Sequence, residues 1–234
     1  MSDIMLATCR ERIAYWEHVD SVNLARSYLA QHGHRVGQAY TSPTYIRQGR
    51  QDLAEAFLAS DAEYICYIDS DNVLHPATVY RLLQNDLPIV SALYFKRKGG
   101  PEAVAFNWAD DNRVATYSES KAISEWLIEH DVQPSTQERC LELDNSLMKV
   151  DVVGFGCCLI RRDVMEALSD SHKDLFGNHT HNIGEDVYFC RIAQDAGFPI
   201  YVDLNLHIGH IKHYSVSSAD FLHVKEWILD NEQS

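Results

Sequence analysis

Two pairs of carboxylates, two arginines and a late group of histidines are the residues of this chain whose types and spacing can do chemistry. Asp69-Ser70-Asp71 sets two carboxylates at i and i+2 directly after the apolar run Tyr64-Ile65-Cys66-Tyr67-Ile68. Neighbouring carboxylates lose hydration and repel each other unless a cation or a donor sits between them. A hard divalent cation, Mg2+ or Mn2+ carrying a diphosphate, removes that cost. No basic residue stands next to the motif to do so instead. The alternative is that Asp71 or Asn72 only opens a turn and caps the next helix.

Gly184-Glu185-Asp186 opens a helical pattern that runs to about Ala196. Acidic residues in a first helical turn are favoured by the helix dipole, and a carboxylate held there is also placed to abstract a proton. Further on come His207, His210 and His213. At a spacing of three they do not fall on one strand face, so they cannot all serve one site, but one neutral imidazole can complete a metal site begun by the aspartates. Arg47 and Arg50 stand near the start of another helical pattern, where cations do not complement the dipole and point to an anionic partner; two solvated arginines are the alternative.

These groups must be positioned by regular elements. Ile4 to Cys9, Arg35 to Tyr40, Glu63 to Ile68 and Pro88 to Phe95 have the character of strands, and Trp16 to Gln31, Thr44 to Leu58 and Ala77 to Gln84 carry apolar residues at helical spacing. The alternation βαβαβαβ predicts a doubly wound, mostly parallel sheet with ligands bound at the carboxyl ends of its strands. Glycines follow two of the helices, at Gly33 and Gly197, where a left-handed residue suits a helix end. Lys96 to Val150 is less regular, with a basic, glycine-rich turn, a strand near Ala103 to Trp108 and a helix over Ser120 to Glu129. Val150 to Arg161 is expected as one long strand in which Gly154 and Gly156 mark a bulge or the close approach of another backbone or a ligand. The polar stretch Ser169 to Gly184, with His172, His179 and His181, is expected to be an active-site loop rather than a zinc site. A strand over Phe198 to Val202 precedes the histidines.

At 234 residues, 46% hydrophobic and 23% charged, the chain has the composition of one sizeable α/β domain. No stretch has the length and purity of a membrane span, and no basic region precedes an apolar run at the start, so neither a membrane segment nor a secretory signal is expected. Six scattered cysteines without a zinc pattern imply reduced thiols in a cytoplasmic protein. A formal charge of −14 argues against affinity built on broad phosphate neutralisation, without excluding a nucleic-acid substrate.

In the order Asp69-Ser70-Asp71, Val153-Gly154-Phe155-Gly156, Gly184-Glu185-Asp186 and His207-Ile208-Gly209-His210, the chain resembles the GT-A nucleotide-sugar glycosyltransferases, in particular small members related to the large inverting family found in bacteria and phages. Each motif is weak alone; four in order over about 150 residues are strong. The resemblance implies a single Rossmann-like GT-A domain, with residues 1–95 as the nucleotide-sugar half and 96–234 as the acceptor-binding and catalytic half. It implies a donor, a UDP-sugar by preference, and Mn2+ or Mg2+. Asp71 would hold the metal directly, Asp69 the ribose or the metal through water, and His210 the third metal position in preference to His207. Ala7, Thr8 and Cys9 would lie along the base and ribose, with Ser70, Arg47 and Arg50 on the donor as well, although the family often has a proline near Ala7 to Cys9 and this chain has none. Gly154, Phe155 and Gly156 would face the acceptor. Asp186 would be the general base of an inverting displacement, with Glu185 orienting it or the acceptor.

Two other classes compete. A nucleotidyltransferase also pairs aspartates on a metal, but is expected to carry a glycine-rich phosphate loop, and Ala7 to Arg12 contains no glycine. A noncatalytic nucleotide-sugar-binding module would need neither the Glu-Asp pair nor the late histidine. The sequence has no module that selects the acceptor: a small sugar, a surface glycan, a protein side chain and a hydroxymethylated phage DNA base all offer a hydroxyl.

Overall fold

The computed structural model describes residues 3–9, 15–42, 44–96, 102–110, 113–114, 146–177 and 184–211. The helix expected over Ser120 to Glu129, Cys140, His179, His181 and His213 lie outside them. In chain order the strands are β1 (Asp3–Thr8), β2 (Arg35–Tyr40), β3 (Tyr64–Ile68), β4 (Asn72–Val73), β5 (Ile89–Leu93), β6 (Ala105–Phe106), β7 (Trp108–Asp110), β8 (Arg113–Val114), β9 (Leu147–Val150), β10 (Val152–Val153), β11 (Cys157–Arg161), β12 (Ile200–His207) and β13 (Gly209–His210). The helices are α1 (Trp16–Gln31), α2 (Ile46–Leu58), α3 (Thr78–Gln84), α4 (Arg162–Ser171) and α5 (Glu185–Asp195). None of the described helices is long and apolar enough to cross a membrane.

Seven strands form the central sheet in the order β2-β1-β3-β11-β5-β12-β9, in which β11 and β9 run against the other five. The sheet is therefore mostly parallel, as the alternation of elements predicts. Its centre differs from a simple doubly wound order because antiparallel β11 is inserted between β3 and β5. The stretch expected as one strand over Val150 to Arg161 is broken at Gly154 to Gly156: β10 pairs with β6 in a separate two-stranded sheet, and β11 enters the main one.

Both faces of the sheet are covered, which explains why β3 and β5 are continuous apolar runs. On one face Val22, Ala25 and Leu29 of α1 and Val79 and Leu82 of α3 pack on Ile4, Leu6, Cys66 and Ile68. On the other, Leu53, Ala54 and Phe57 of α2, Val164 and Met165 of α4, and Phe189 and Ile192 of α5 pack on Ile65, Tyr67 and Ile160. Two helices stop as the glycines predict. Gly33 and Gly197 adopt φ of 86° and 88°. After each, the chain bonds back to the last turn, His34 N–H to the Leu29 carbonyl and Phe198 N–H to the Ala193 carbonyl, so the final carbonyls are satisfied.

Candidate active site

A cleft of about 470 Å3 opens at the carboxyl ends of β1 and β3, lined by Cys9, Thr44 to Ile46, Arg50, Asp69 to Asp71, Tyr94, Glu185, Asp186 and His210. Six separated segments of sequence meet there. The end of β3 is tied down from two sides. Asp69 N–H donates to the Gly156 carbonyl at 3.2 Å, and Asn72 N–H returns to the Asp69 carbonyl at 3.0 Å, so the acidic motif turns at once. Strand β4 then pairs antiparallel with β13, matching His210 with Asn72, and Ile211 N–H donates to the Asp71 carbonyl. Asn72, fully buried, adds a side-chain bond from Nδ2 to the Gly209 carbonyl, and His18 of α1 donates from Nδ1 to the Asn72 carbonyl at 2.9 Å. The late histidine is thus zipped to the acidic motif by backbone pairing.

The pairing decides which histidine faces Asp71. His210 Nδ1 donates to the Phe95 carbonyl at 2.8 Å, so that in the neutral imidazole Nε2, 3.4 Å from Asp71 Oδ2, carries the lone pair. His207, at the end of β12, spends its Nε2 on the Leu204 carbonyl at 2.7 Å. An imidazole nitrogen and a carboxylate oxygen at that separation can share one small cation at bond lengths of about 2.0–2.1 Å. Among the described residues no group of three His, Cys, Asp or Glu side chains converges as a complete metal site. Asp71 and His210 fit a cation as a pair, and Asp69 is turned elsewhere.

Asp69 meets Arg50. The Arg50 guanidinium is 4% exposed and donates from Nη2 to Asp69 Oδ1 at 2.8 Å and from Nη1 to Glu185 Oε1 at 2.6 Å, with its carbon 5.0 Å from the centre of the Phe155 ring. The acidic motif, with no basic residue beside it in sequence, thus receives one from α2, and Arg50 meets two protein carboxylates in the cleft. Burial alone would drive Arg50 toward its neutral form; Asp69, Asp186 and Glu185 reverse that and hold it charged. Burial raises the carboxyl pKa of Asp69 above its ordinary value, with Arg50 opposing the shift. Arg47, in the first turn of α2, is exposed and does not line the cleft.

Glu185 and Asp186 begin α5 after Gly184. Asp186 bends back over its own helix start, where Oδ1 accepts the Val187 N–H at 2.8 Å. Gly184 leaves room for it, since a Cβ there would meet Asp186 Oδ1 at 2.6 Å. Burial again raises the carboxyl pKa, against Arg50.

The remaining expected residues fall in different places. Of the end of β1 only Cys9 reaches the cleft; Ala7 and Thr8 are buried in the sheet. Burial pushes the Cys9 thiol up to about 12, so it stays protonated. Gly154, Phe155 and Gly156 do not line the cleft. Phe155 is fully buried among Tyr67, Phe176 and Phe189, beneath Arg50. The two glycines make room for Tyr94: a Cβ at Gly154 would stand 2.0 Å from the Tyr94 hydroxyl, and one at Gly156 2.8 Å from its ring. What these three residues do among the described residues is pack beneath the site. Four lining residues, Thr44, Tyr45, Ile46 and Tyr94, were not among the expected site residues. Tyr94 sits edge-on to the His210 ring at 5.5 Å, and Tyr45 stands 88% exposed at the rim. An aromatic closing an apolar strand, and another before a helix, carry no signal of a site until the fold brings them there.

No family model matches the chain, and no curated protein matches it. Among solved structures it is similar to A197 from STIV, with a TM-score of 0.55 and 15% identity over 91% of this chain and 87% of that one. It is also similar to GalNAc-T7, crystallised with UDP, GalNAc and Mn2+, with a TM-score of 0.53 and 12% identity over 92% of this chain. This is the GT-A fold. The chain spans 44% of the GalNAc-T7 chain. In the GT-A sheet the described cleft occupies the strand-end position at which open α/β folds bind ligands.

Proposed function

We propose that the protein is a metal-dependent glycosyltransferase that moves a sugar from a nucleotide-sugar donor, a UDP-sugar by preference, to a hydroxyl acceptor with inversion. The observation that carries the reading is the meeting in one cleft of the Asp71 and His210 pair with the acidic start of α5, 114 residues beyond Asp71 in sequence. The fold it shares with GalNAc-T7, whose crystal structure holds UDP, GalNAc and Mn2+, supports the same donor chemistry here.

The charge balance of the cleft points the same way. Four carboxylates line it, and the one guanidinium among its lining residues is bonded to two of them. Such a surface repels a diphosphate unless a cation comes with it. Asp71 and His210 would hold Mn2+ or Mg2+; when bound, the ion offsets charge on a leaving diphosphate. Cys9 and the rim at Thr44 to Ile46 would bound the nucleoside, with Ser70 beside it. Asp186 takes the proton of the acceptor hydroxyl on Oδ2, the oxygen not bonded to Val187, as displacement at the anomeric carbon proceeds from the opposite face. Residues 1–95 would serve the donor and 96–234 the acceptor, in a cytoplasmic enzyme. A glycan fits an acidic chain of this kind; a hydroxymethylated DNA base would have to be reached against a net charge of −14.

The test is a panel of sugar nucleotides offered with Mn2+. Release of nucleoside diphosphate is followed first, then acceptor pools, including hydroxymethylated DNA, are searched by mass spectrometry for a hexose or pentose increment. Release of pyrophosphate from a nucleoside triphosphate offered together with a sugar 1-phosphate would instead mark a nucleotidyltransferase. Binding of UDP and Mn2+ with no release under any acceptor would leave a binding module and refute the enzyme.

A further inference from the structure

Arg50 occupies a position that the reaction as described does not explain. A buried guanidinium is costly, and replacing buried ion pairs by apolar side chains is often neutral or stabilising, so fold stability alone does not account for this one. Its terminal nitrogens and its backbone are held, while its buried Nε meets no acceptor among the described residues. Its own carbonyl accepts the Tyr67 hydroxyl at 3.1 Å, the Phe155 ring lies against the guanidinium, and its two terminal nitrogens reach carboxylates 19 and 135 residues away. One of those carboxylates ends β3 and the other opens α5.

The consequence falls on the Glu-Asp pair. Consecutive side chains at a helix start diverge by about 100°. Glu185 is committed to Arg50 at 2.6 Å, while among the described residues Asp186 is held by the Val187 N–H of its own first turn. Resting on the glycosyltransferase reading above, we propose that Arg50 is a positioning residue: it pins Glu185 and the first turn of α5 to the end of β3, and so leaves Asp186 as the carboxylate of the pair that meets the acceptor hydroxyl. The fork of the guanidinium is what the task requires, because two carboxylates from separate elements are held at fixed spacing by one planar group. A lysine ammonium has no second terminal nitrogen to do this.

The experiment uses the full chain as Glu185→Ala, Glu185→Gln, Arg50→Lys and the double variant Arg50→Lys with Glu185→Ala, assayed beside wild type over a range of donor concentrations with saturating Mn2+. Loss of the pin in Glu185→Ala is expected to lower kcat about 30-fold, within the roughly hundredfold that a misplacement of about 1 Å costs, with donor KM changed less than about threefold. Glu185→Gln keeps an oxygen for Arg50 Nη1 and is expected to recover at least about tenfold of that loss. Arg50→Lys should match Glu185→Ala, and the double variant should be no worse than either single by more than about threefold. The proposal is overturned if Glu185→Gln is as slow as Glu185→Ala, which would make the charge itself the reacting group. It is equally overturned if Glu185→Ala keeps kcat within about threefold of wild type, or if the losses in the double variant multiply. Where Arg50→Lys does not fold, the Ala and Gln variants decide alone, since both retain the Arg50 to Asp69 bridge. Urea midpoints of wild type and these four variants read the contact without turnover. Should the wild-type chain use no sugar nucleotide, the enzymatic reading falls; additive midpoints would then sink the pin as well, and strongly non-additive ones would uphold it as the tie between β3 and α5.

Discussion

Gly154→Ala tests whether the glycines of the broken strand serve packing or the acceptor. A Cβ at this position would meet the Tyr94 hydroxyl at 2.0 Å, Val104 Cγ1 at 2.6 Å and Tyr94 Cζ at 2.9 Å, where ordinary contact begins at 3.4 Å. Tyr94 must therefore shift by roughly 1 Å or more to restore ordinary contact. It has little room, being 6% exposed, with Gly156 behind it and the His210 ring at its edge. Overpacking of this kind costs about 1–3 kcal/mol, which for a chain of this size lowers Tm by about 2–12 °C. Because the displaced ring bears on His210, Mn2+ affinity is expected to fall with it. The companion change Tyr94→Phe removes the atom at 2.0 Å. In the wild-type background it removes a buried hydroxyl that the Gly156 backbone stabilises electrostatically, at a cost of about 0.5–1.5 kcal/mol. In the alanine background the same change relieves the clash, so the two substitutions should fall short of additivity by about 1 kcal/mol or more. Thermal and urea unfolding of the four proteins, with Mn2+ titration calorimetry, measure this. A Gly154→Ala protein that melts with wild type, or a cycle that is additive, refutes the packing argument and returns the glycines to the acceptor.

Asp186→Asn keeps the shape and removes the base: turnover is expected to fall about 10²–10⁴-fold with UDP affinity unchanged, and normal turnover would exclude this residue as base. In wild type, burial raises Asp186, and the base works only when ionised, so the acid limb of kcat against pH should lie above the ordinary carboxylate value of 3.8 and vanish in the Asn variant. Asp71→Asn and His210→Gln should each weaken Mn2+ binding by calorimetry, and EDTA should stop turnover; full activity in chelator would refute the metal. Burial holds His207 and His18 below the ordinary histidine value of 6.5, so the unfolded chain takes up their protons first. Their contribution is complete above that value and is lost as pH falls through it toward the folded pKa. His207→Gln should therefore show a smaller drop in Tm than wild type between pH 8 and pH 5.5, and equal slopes would contradict the assignment. Taking the difference between the two proteins cancels Asp69 and Asp186, whose raised pKa values act with the opposite sign.

What sequence determined by itself was local. The apolar runs at Tyr64 to Ile68 and Ile89 to Leu93, the helical spacings, and the glycines after α1 and α5 depend on burial pattern and backbone freedom, and the elements form where those predict. The acidic motifs and the late histidine were legible as short signatures, because a strand end and a helix start need particular residues at adjacent positions. Tertiary structure decided what those residues meet. Backbone pairing of β13 with β4, across 135 residues and more, turned His210 rather than His207 toward Asp71. Insertion of antiparallel β11 beside β3 brought Gly156 onto Asp69 and made Gly154 a berth for Tyr94, roles that a strand's glycines do not reveal. Arg50 has the same sequence surroundings whether it is solvated, bound to a diphosphate or shared between Asp69 and Glu185. Only the packing of α2 against the sheet, which buries its guanidinium where β3 ends and α5 begins, selects the last, because a charge taken out of water must be met by whichever carboxylates the fold supplies.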